Sequence, residues 1–282
     1  MESDVESDMD STFLYGSHVH ANDIRQHYLR YGGRGMPLVI VPGITSPAIT
    51  WGFVAERFGE SFDTYVLDVR GRGLSSAGPD IDYGLDSCAA DIAAFTRTMG
   101  LTEYVLLGHS MGGRIAIRAA GQHGLKGLQR LVVVDPPVTG PNRRDYPTPL
   151  SWYIDSIRLA QQGVTADQLR QYLPTWSDAQ LLLRAEWLPT CDERAIEVGY
   201  RGFHGDNIHK DLPFIKVPTL LVAAGQGSVI LPEELDELTR LMPALQTARV
   251  EAAGHMIPWD DFEGFFRAIE GFLAAAPDTK GD

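Results

Sequence analysis

Two cysteines in 282 residues, Cys88 and Cys191, with no CxxC pair and no cysteine–histidine cluster at ligand spacing, exclude a disulfide scaffold and offer no zinc motif. Long apolar runs are missing as well, since none approaches the ~20 residues of a bilayer span. The start, MESDVESDMDSTF, is acidic where a secretory signal is basic and then apolar. Residues 1–12 therefore read as a disordered acidic tail, and the chain as a cytoplasmic protein. Positive charge is in deficit, with 24 Lys and Arg against 37 Asp and Glu and a formal net charge of −13. A nucleic-acid partner needs a basic stripe, and none is visible. The same field repels anions, so a carboxylate substrate requires a local arginine or histidine inside its pocket. What remains is a chain long enough for one large α/β domain on its own core.

The pattern of the chain supports that class. HVHANDIRQHYLRYG reads as a β-hairpin around Ala21, Asn22 and Asp23. Six short apolar or β-rich runs follow: LVIV (38–41), TYVLD (64–68), YVLLG (104–108), LVVVD (131–135), TLLVA (219–223) and TARVE (247–251). Such runs, bounded by Gly, Pro and Asp, suit strands of a mostly parallel sheet buried on both faces. Helical spacing lies between them, as at Leu85, Cys88, Ala89, Ile92, Phe95 and Met99, and at Phe262, Phe265, Phe266, Ile269 and Phe272. The expectation is a doubly wound, mostly parallel eight-stranded sheet led by an antiparallel hairpin. Residues 140–213 break the rhythm with an aromatic-rich helical pattern: Tyr153, Ile157 and Ala160, then Leu169, Tyr172 and Leu173, then Leu181, Leu182, Ala185 and Leu188. They are expected to form a helical cap inserted into a core of residues 13–139 and 214–282.

Gly108-His109-Ser110-Met111-Gly112 follows the run YVLL and opens a helix-like stretch. Strand, sharp turn and helix are the context that gives G-x-S-x-G its meaning, because small residues permit a strained turn that exposes a serine hydroxyl. Ser110 is the candidate nucleophile. His255, in AGHMIP after the last strand run, is the candidate general acid and base. The turn after the first parallel strand, Pro42-Gly43-Ile44-Thr45, brings the backbone N–H of Ile44 to join that of Met111 as an oxyanion hole. DVRGRGLS, residues 68–75, reads as a structural turn tied by Asp68 and Arg70.

One absence is local. The strand TLLVA ends in Gly225-Gln226-Gly227-Ser228, and the acid that would orient His255 is not there. The preceding run ends in Asp135-Pro136-Pro137. Neighbouring strands are only ~4.8 Å apart, so a carboxylate on that strand still reaches a histidine arriving on a loop. Asp135 is the favoured acid. Asp260, Asp261 and Glu251 are its rivals, and a turn-capping aspartate before two prolines is the plain alternative.

Taken together, PGIT, DVRGRGLS, GHSMG and AGHMIP resemble the α/β-hydrolase superfamily over nearly the whole chain after the tail. VPGITSPAITWGFVAERF, LVVVDPPVTGP, LRAEWL and AGHMIPWDD narrow the likeness to the N-formylmaleamate deformylases, with Gly113 standing where alanine is expected. The resemblance implies the α/β-hydrolase fold and a Ser-Asp-His triad with its acid at the position of Asp135. It also implies hydrolysis of a linear amide C–N bond without a cofactor or metal. Its small substrate is a carboxylate, for which Arg143, Arg144, Arg184, Arg201 and His204 are the candidate partners, while Trp152, Tyr153, Trp176 and Trp187 are candidates to line the pocket. Carboxylesterase, enol-lactonase or carbon–carbon hydrolase chemistry would use the same serine and histidine, and a non-catalytic binder of this shape stays open.

Overall fold

The structure, a computed structural model, describes residues 11–274, so most of the expected acidic tail lies outside the described residues. Its last two positions do not fit a tail. Ser11 Oγ and Thr12 Oγ1 donate to the Glu56 carboxylate at 2.6 and 2.7 Å, which ties the chain down before the first strand begins.

In chain order the elements are β1 (Phe13–Ala21), β2 (Ile24–Tyr31), β3 (Pro37–Val41), α1 (Gly52–Gly59), β4 (Asp63–Leu67), α2 (Leu85–Thr98), β5 (Tyr104–His109), α3 (Met111–Gln122) and β6 (Leu128–Val134). After them come α4 (Leu150–Gln161), α5 (Ala166–Arg170), α6 (Asp178–Trp187), α7 (Glu193–Gly205), β7 (Thr219–Ala224), α8 (Pro232–Leu241), β8 (Gln246–Val250), α9 (Ile257–Asp260) and α10 (Phe262–Ala274). Asn22 and Asp23 turn the opening hairpin with φ of 50° and 60°, the left-handed region their short polar side chains tolerate.

The strands form one eight-stranded sheet in the order β1-β2-β4-β3-β5-β6-β7-β8. β1 and β2 pair antiparallel, β2 meets β4 antiparallel, and every other pairing is parallel. Alternate side chains feed two cores. Val39, Leu106, Val133 and Leu221 face Ile92, Phe95 and Ile115, whereas Ile40, Leu107, Val132 and Val222 face Val54, Phe58, Phe265 and Ile269. Burial on both faces is why these strands read as continuous apolar runs and not as alternations. Among the described residues no helix is long and apolar enough to cross a membrane.

The parallel strands all send their C-terminal ends to one edge, where the loops after β3, β5, β6, β7 and β8 gather. Between β6 and β7 the chain adds α4 to α7, of which Trp152 and Tyr153 on α4 and Arg184 on α6 reach the cleft at that edge. Buried arginines fasten this insert to the sheet. Arg114, on α3, donates to the carbonyls of Pro137 and Thr139 at 2.6 and 3.0 Å and to those of Gly202 and Asp206 at 2.9 and 2.8 Å. Arg118 pairs with Asp211 at 2.6 Å.

The 68–75 turn is tied by Asp68, whose carboxylate accepts from Ala48 N, Leu74 N and the His27 ring at 2.6, 2.9 and 2.7 Å. Arg70 anchors it further, donating to Asp91 and to the carbonyl of Asp82, each at 2.6 Å. One local expectation is corrected. Tyr172 and Leu173 are not helical, since α5 stops at Arg170. Both line the cleft, while Leu173 also packs with Leu169 in the core and Tyr172 rests against it.

Candidate active site

The position of the candidate nucleophile is built by strain. β5 ends at His109, α3 begins at Met111, and Ser110 between them adopts φ 55° and ψ −122°. A non-glycine residue persists there only because its surroundings over-determine it. The flanking glycines make the turn possible. A Cβ on Gly112 would stand 1.9 Å from the Val41 carbonyl oxygen, and one on Gly108 would stand 2.3 Å from that of Gly112. Ser110 thus sits at a helix N-terminus with its hydroxyl turned towards the loop that follows β8.

That loop carries His255. Its Nε2 lies 2.9 Å from Ser110 Oγ, and its Nδ1 lies 2.7 Å from Asp135 Oδ2. A carboxylate accepts, so Nδ1 holds the ring proton and Nε2 is free to take one from the serine. Asp135 is a second strained residue, with φ 43°, placed directly after β6 and 1% exposed. Its other oxygen accepts from Ala224 N at 3.3 Å, which steadies the carboxylate against the end of β7. Gly227 packs beside it, where an added Cβ would stand 3.7 Å from Asp135 Oδ2. The acid-free end of β7 is therefore the space that Asp135 occupies from the neighbouring strand. The rival acids have other work. Asp260 accepts from Gly254 N at 3.0 Å, Asp261 caps α10 through Gly264 N at 2.8 Å, and Glu251 pairs with Arg249 at 3.2 Å.

The turn after β3 is held by two buried arginines. Arg72 Nε donates to the Ile44 carbonyl at 3.0 Å. Arg184 donates to the Thr45 carbonyl from Nη1 at 3.0 Å and to Thr45 Oγ1 from Nη2 at 2.9 Å. With both carbonyls pinned, the backbone beside Ser110 is fixed before any ligand arrives, which is the condition for a preorganised oxyanion site.

A cavity of about 520 Å³ opens above Ser110 and His255, with Thr45, Trp152, Tyr153, Trp176, Arg184 and Gln226 among its lining residues. Arg184 is 3% exposed and, among the described residues, has no carboxylate partner. Burial pushes its pKa down to about 10, so it stays protonated at neutral pH as a buried cation without a counter-ion. The other candidate cations are spoken for. Arg143 and Arg144 pair with Glu237 and Glu234 at 2.6 and 2.8 Å, and Arg201 pairs with Glu197 at 3.1 Å on the α7 surface.

Trp152 and Tyr153 do line the cavity, whereas Trp187 and His204 do not. Trp187 ends α6 away from the cleft, and His204, near the end of α7, faces Asp145 at 3.5 Å and the Tyr200 ring. Thr45, Thr148, Tyr172 and Gln226 are lining residues that sequence reasoning did not single out. Arg184 carried a local signal of its own. It falls three residues after Leu181 and four before Leu188, a charge set on the apolar stripe of its helix.

Comparison with known proteins gives the family. A profile of the alpha/beta hydrolase fold family matches residues 36–262. The chain is 63% identical over 263 residues to N-formylmaleamate deformylase of Pseudomonas putida, covering 93% of this chain and 98% of that one. It is 25% identical over 260 residues to 2-(acetamidomethylene)succinate hydrolase of Mesorhizobium japonicum, covering 88% and 91%. Among solved structures, a serine-to-alanine variant of N-formylmaleamic acid deformylase from Pseudomonas putida S16 matches with a TM-score of 0.87 and 53% identity, over 90% of this chain and all of that one.

Proposed function

The chain belongs to the α/β-hydrolase fold family, and from that premise we propose that it hydrolyses the formyl C–N bond of N-formylmaleamate to maleamate and formate. The 63% identity to a deformylase across 98% of that relative carries the substrate assignment. The cavity chemistry supports it independently, since a small carboxylate would neutralise Arg184, a buried cation at the wall that has no carboxylate partner among the described residues.

On this reading residues 140–213 cap a core of residues 13–139 and 214–282, and the reaction runs in two halves. Ser110 Oγ attacks the formyl carbon as His255 Nε2 takes the hydroxyl proton, and Asp135 holds the resulting imidazolium. The backbone N–H groups of Ile44 and Met111 stabilise the tetrahedral oxyanion. Collapse breaks the C–N bond, and His255 gives its proton to the nitrogen, releasing maleamate and leaving a formyl ester on Ser110. Charge on that nitrogen is shared with the second acyl group, so it departs more readily than an amine. Water, deprotonated by His255, then attacks the ester, and formate leaves as the proton returns to Ser110 Oγ. Arg184 anchors the substrate carboxylate, with the Thr45 hydroxyl beside it as a further donor.

The test is formate release from N-formylmaleamate measured beside hydrolysis of a simple aryl ester. Formate production at the faster rate supports the assignment. Rapid ester cleavage with no formate overturns it while leaving a serine hydrolase.

A further inference from the structure

His109 has no place in the triad, yet it touches both halves of the site. It is the last residue of β5, 1% exposed, and its ring faces those of His255, Trp51 and Trp259 at centroid distances of 5.1, 5.4 and 6.3 Å. Its Nε2 lies 3.0 Å from the backbone carbonyl oxygen of His255. A carbonyl can only accept, so Nε2 carries the proton and donates it. Nδ1 is then bare, buried without a hydrogen-bond partner among the described residues. The other edge of the ring meets the turn after β3, where a Cβ on Gly43 would stand 3.3 Å from Nδ1 and 3.4 Å from Ser110 Cβ.

The ring therefore fills the space between the oxyanion turn and the backbone of the base. It cannot act as a second base, because a proton on Nδ1 would be buried with no acceptor. Burial, with the neighbouring His255 adding to it, pushes its pKa down to about 3. His109 thus stays neutral throughout the range in which a triad histidine works, and places no competing positive charge beside the imidazolium that forms on His255.

We propose that His109 is a positioning residue: its Nε2–H fixes the His255 backbone, and its ring sets the separation of the base loop from the oxyanion turn. This rests on Ser110 and His255 acting as nucleophile and base, but not on the identity of the substrate. The hydrogen bond holds the histidine from the sheet side, while Asp260 holds the preceding residue through Gly254 N at 3.0 Å. Freed on the sheet side, the ring at His255 has only Asp135 and this second contact to define its direction towards Ser110.

The experiment compares His109→Gln with His109→Asn. Both are neutral amides, but only the glutamine nitrogen lies as many bonds from Cβ as histidine Nε2 does. The rate at which a fluorophosphonate labels Ser110 reads the nucleophile without reference to substrate, and kcat and KM are read with any substrate the parent turns over. His109→Asn is expected to slow labelling and kcat by roughly 10- to 100-fold with little change in KM, the scale of a small misplacement of a reacting group. His109→Gln is expected to recover most of that loss. Equal rates for the two amides, or an effect confined to KM, overturn the proposal. Loss of labelling in His255→Ala tests the underlying roles separately, so that failure there is distinguishable from failure here.

Discussion

Asp135 and His255 stand 120 residues apart in the chain, yet Oδ2 of the first lies 2.7 Å from Nδ1 of the second. The carboxylate comes from the end of β6, one strand nearer Ser110 than the acid-free end of β7. It is held by Ala224 N as well as by the histidine, so its direction is set by the sheet and not by a flexible loop.

Replacing Asp135 with Asn keeps the shape of the side chain but lets its amide donate towards Nδ1, which favours the wrong tautomer of His255. A fall in kcat of about 10⁴-fold is expected with the fold intact, the scale seen when a triad aspartate is replaced in this way. Steady-state kinetics beside a circular dichroism spectrum check it. Turnover within a few-fold of the parent would remove Asp135 from the triad.

Arg184→Gln removes the uncompensated cation from the cavity wall while leaving a donor for Thr45. The KM for N-formylmaleamate is expected to rise about 10- to 100-fold, matching the ~1.5–3 kcal/mol of a hydrogen bond to a charged group, with kcat less affected. A neutral N-formyl amide supplies the control, because its KM should not follow. A parallel rise for charged and neutral substrates would mean that Arg184 only braces the turn at Thr45.

Trp176 stacks on Trp259 with ring centroids 5.0 Å apart and planes 4° from parallel, and Thr175 Oγ1 donates to Asp260 at 2.7 Å beside it. This is where the helical insert meets the loop that carries His255. Trp176→Ala should lower unfolding free energy by about 3 kcal/mol, as expected for truncating a buried tryptophan. Denaturant titration measures the change. A loss below about 1 kcal/mol would show that the stack adds little beyond what the site already has.

Acid stability follows from two buried histidines. Burial pushes His109 down to about 3 and His209 to about 4 from 6.5, and among the described residues both ring nitrogens of His209 are without hydrogen-bond partners. With the folded values below the unfolded ones, the unfolded chain binds protons first as pH falls. Stability contributed by these residues is therefore whole above about pH 6.5 and declines below it, and the His209 share levels off under about pH 4. The melting temperature of His209→Gln should fall less steeply than that of the parent between pH 7 and pH 4. Parallel curves would refute the assignment to His209.

Much of the fold is legible because burial on both faces writes itself as unbroken apolar runs, and LVIV, YVLLG, LVVV and TLLVA all lie in strands of the sheet. The serine turn is legible for a different reason. Backbone contacts of 1.9 and 2.3 Å to a hypothetical Cβ admit only glycine at 112 and 108, so the spacing survives as text. Periodicity misled where a helix ends early: Tyr172 and Leu173 continue the stripe of Leu169, but the helix stops at Arg170 and both residues also line the cavity. It was silent on pairing: the place of Arg184 on an apolar helix stripe marks it as buried, but does not show that it lacks a carboxylate partner among the described residues while Arg143 and Arg144 are each neutralised by a glutamate on α8.

By itself, the sequence determined the order of strands and helices, the strained turn at Ser110 and the absence of an acid after β7, because these depend on local sterics and on which faces are buried. Tertiary structure alone decided that Asp135 completes a chain of hydrogen bonds to Ser110, that Trp176 and not Trp187 reaches the cavity, and that His109 braces the backbone of His255. Those outcomes rest on distances between groups far apart in the chain. Such distances arise only when the parallel sheet brings its loops to one edge and excludes water from the space between them.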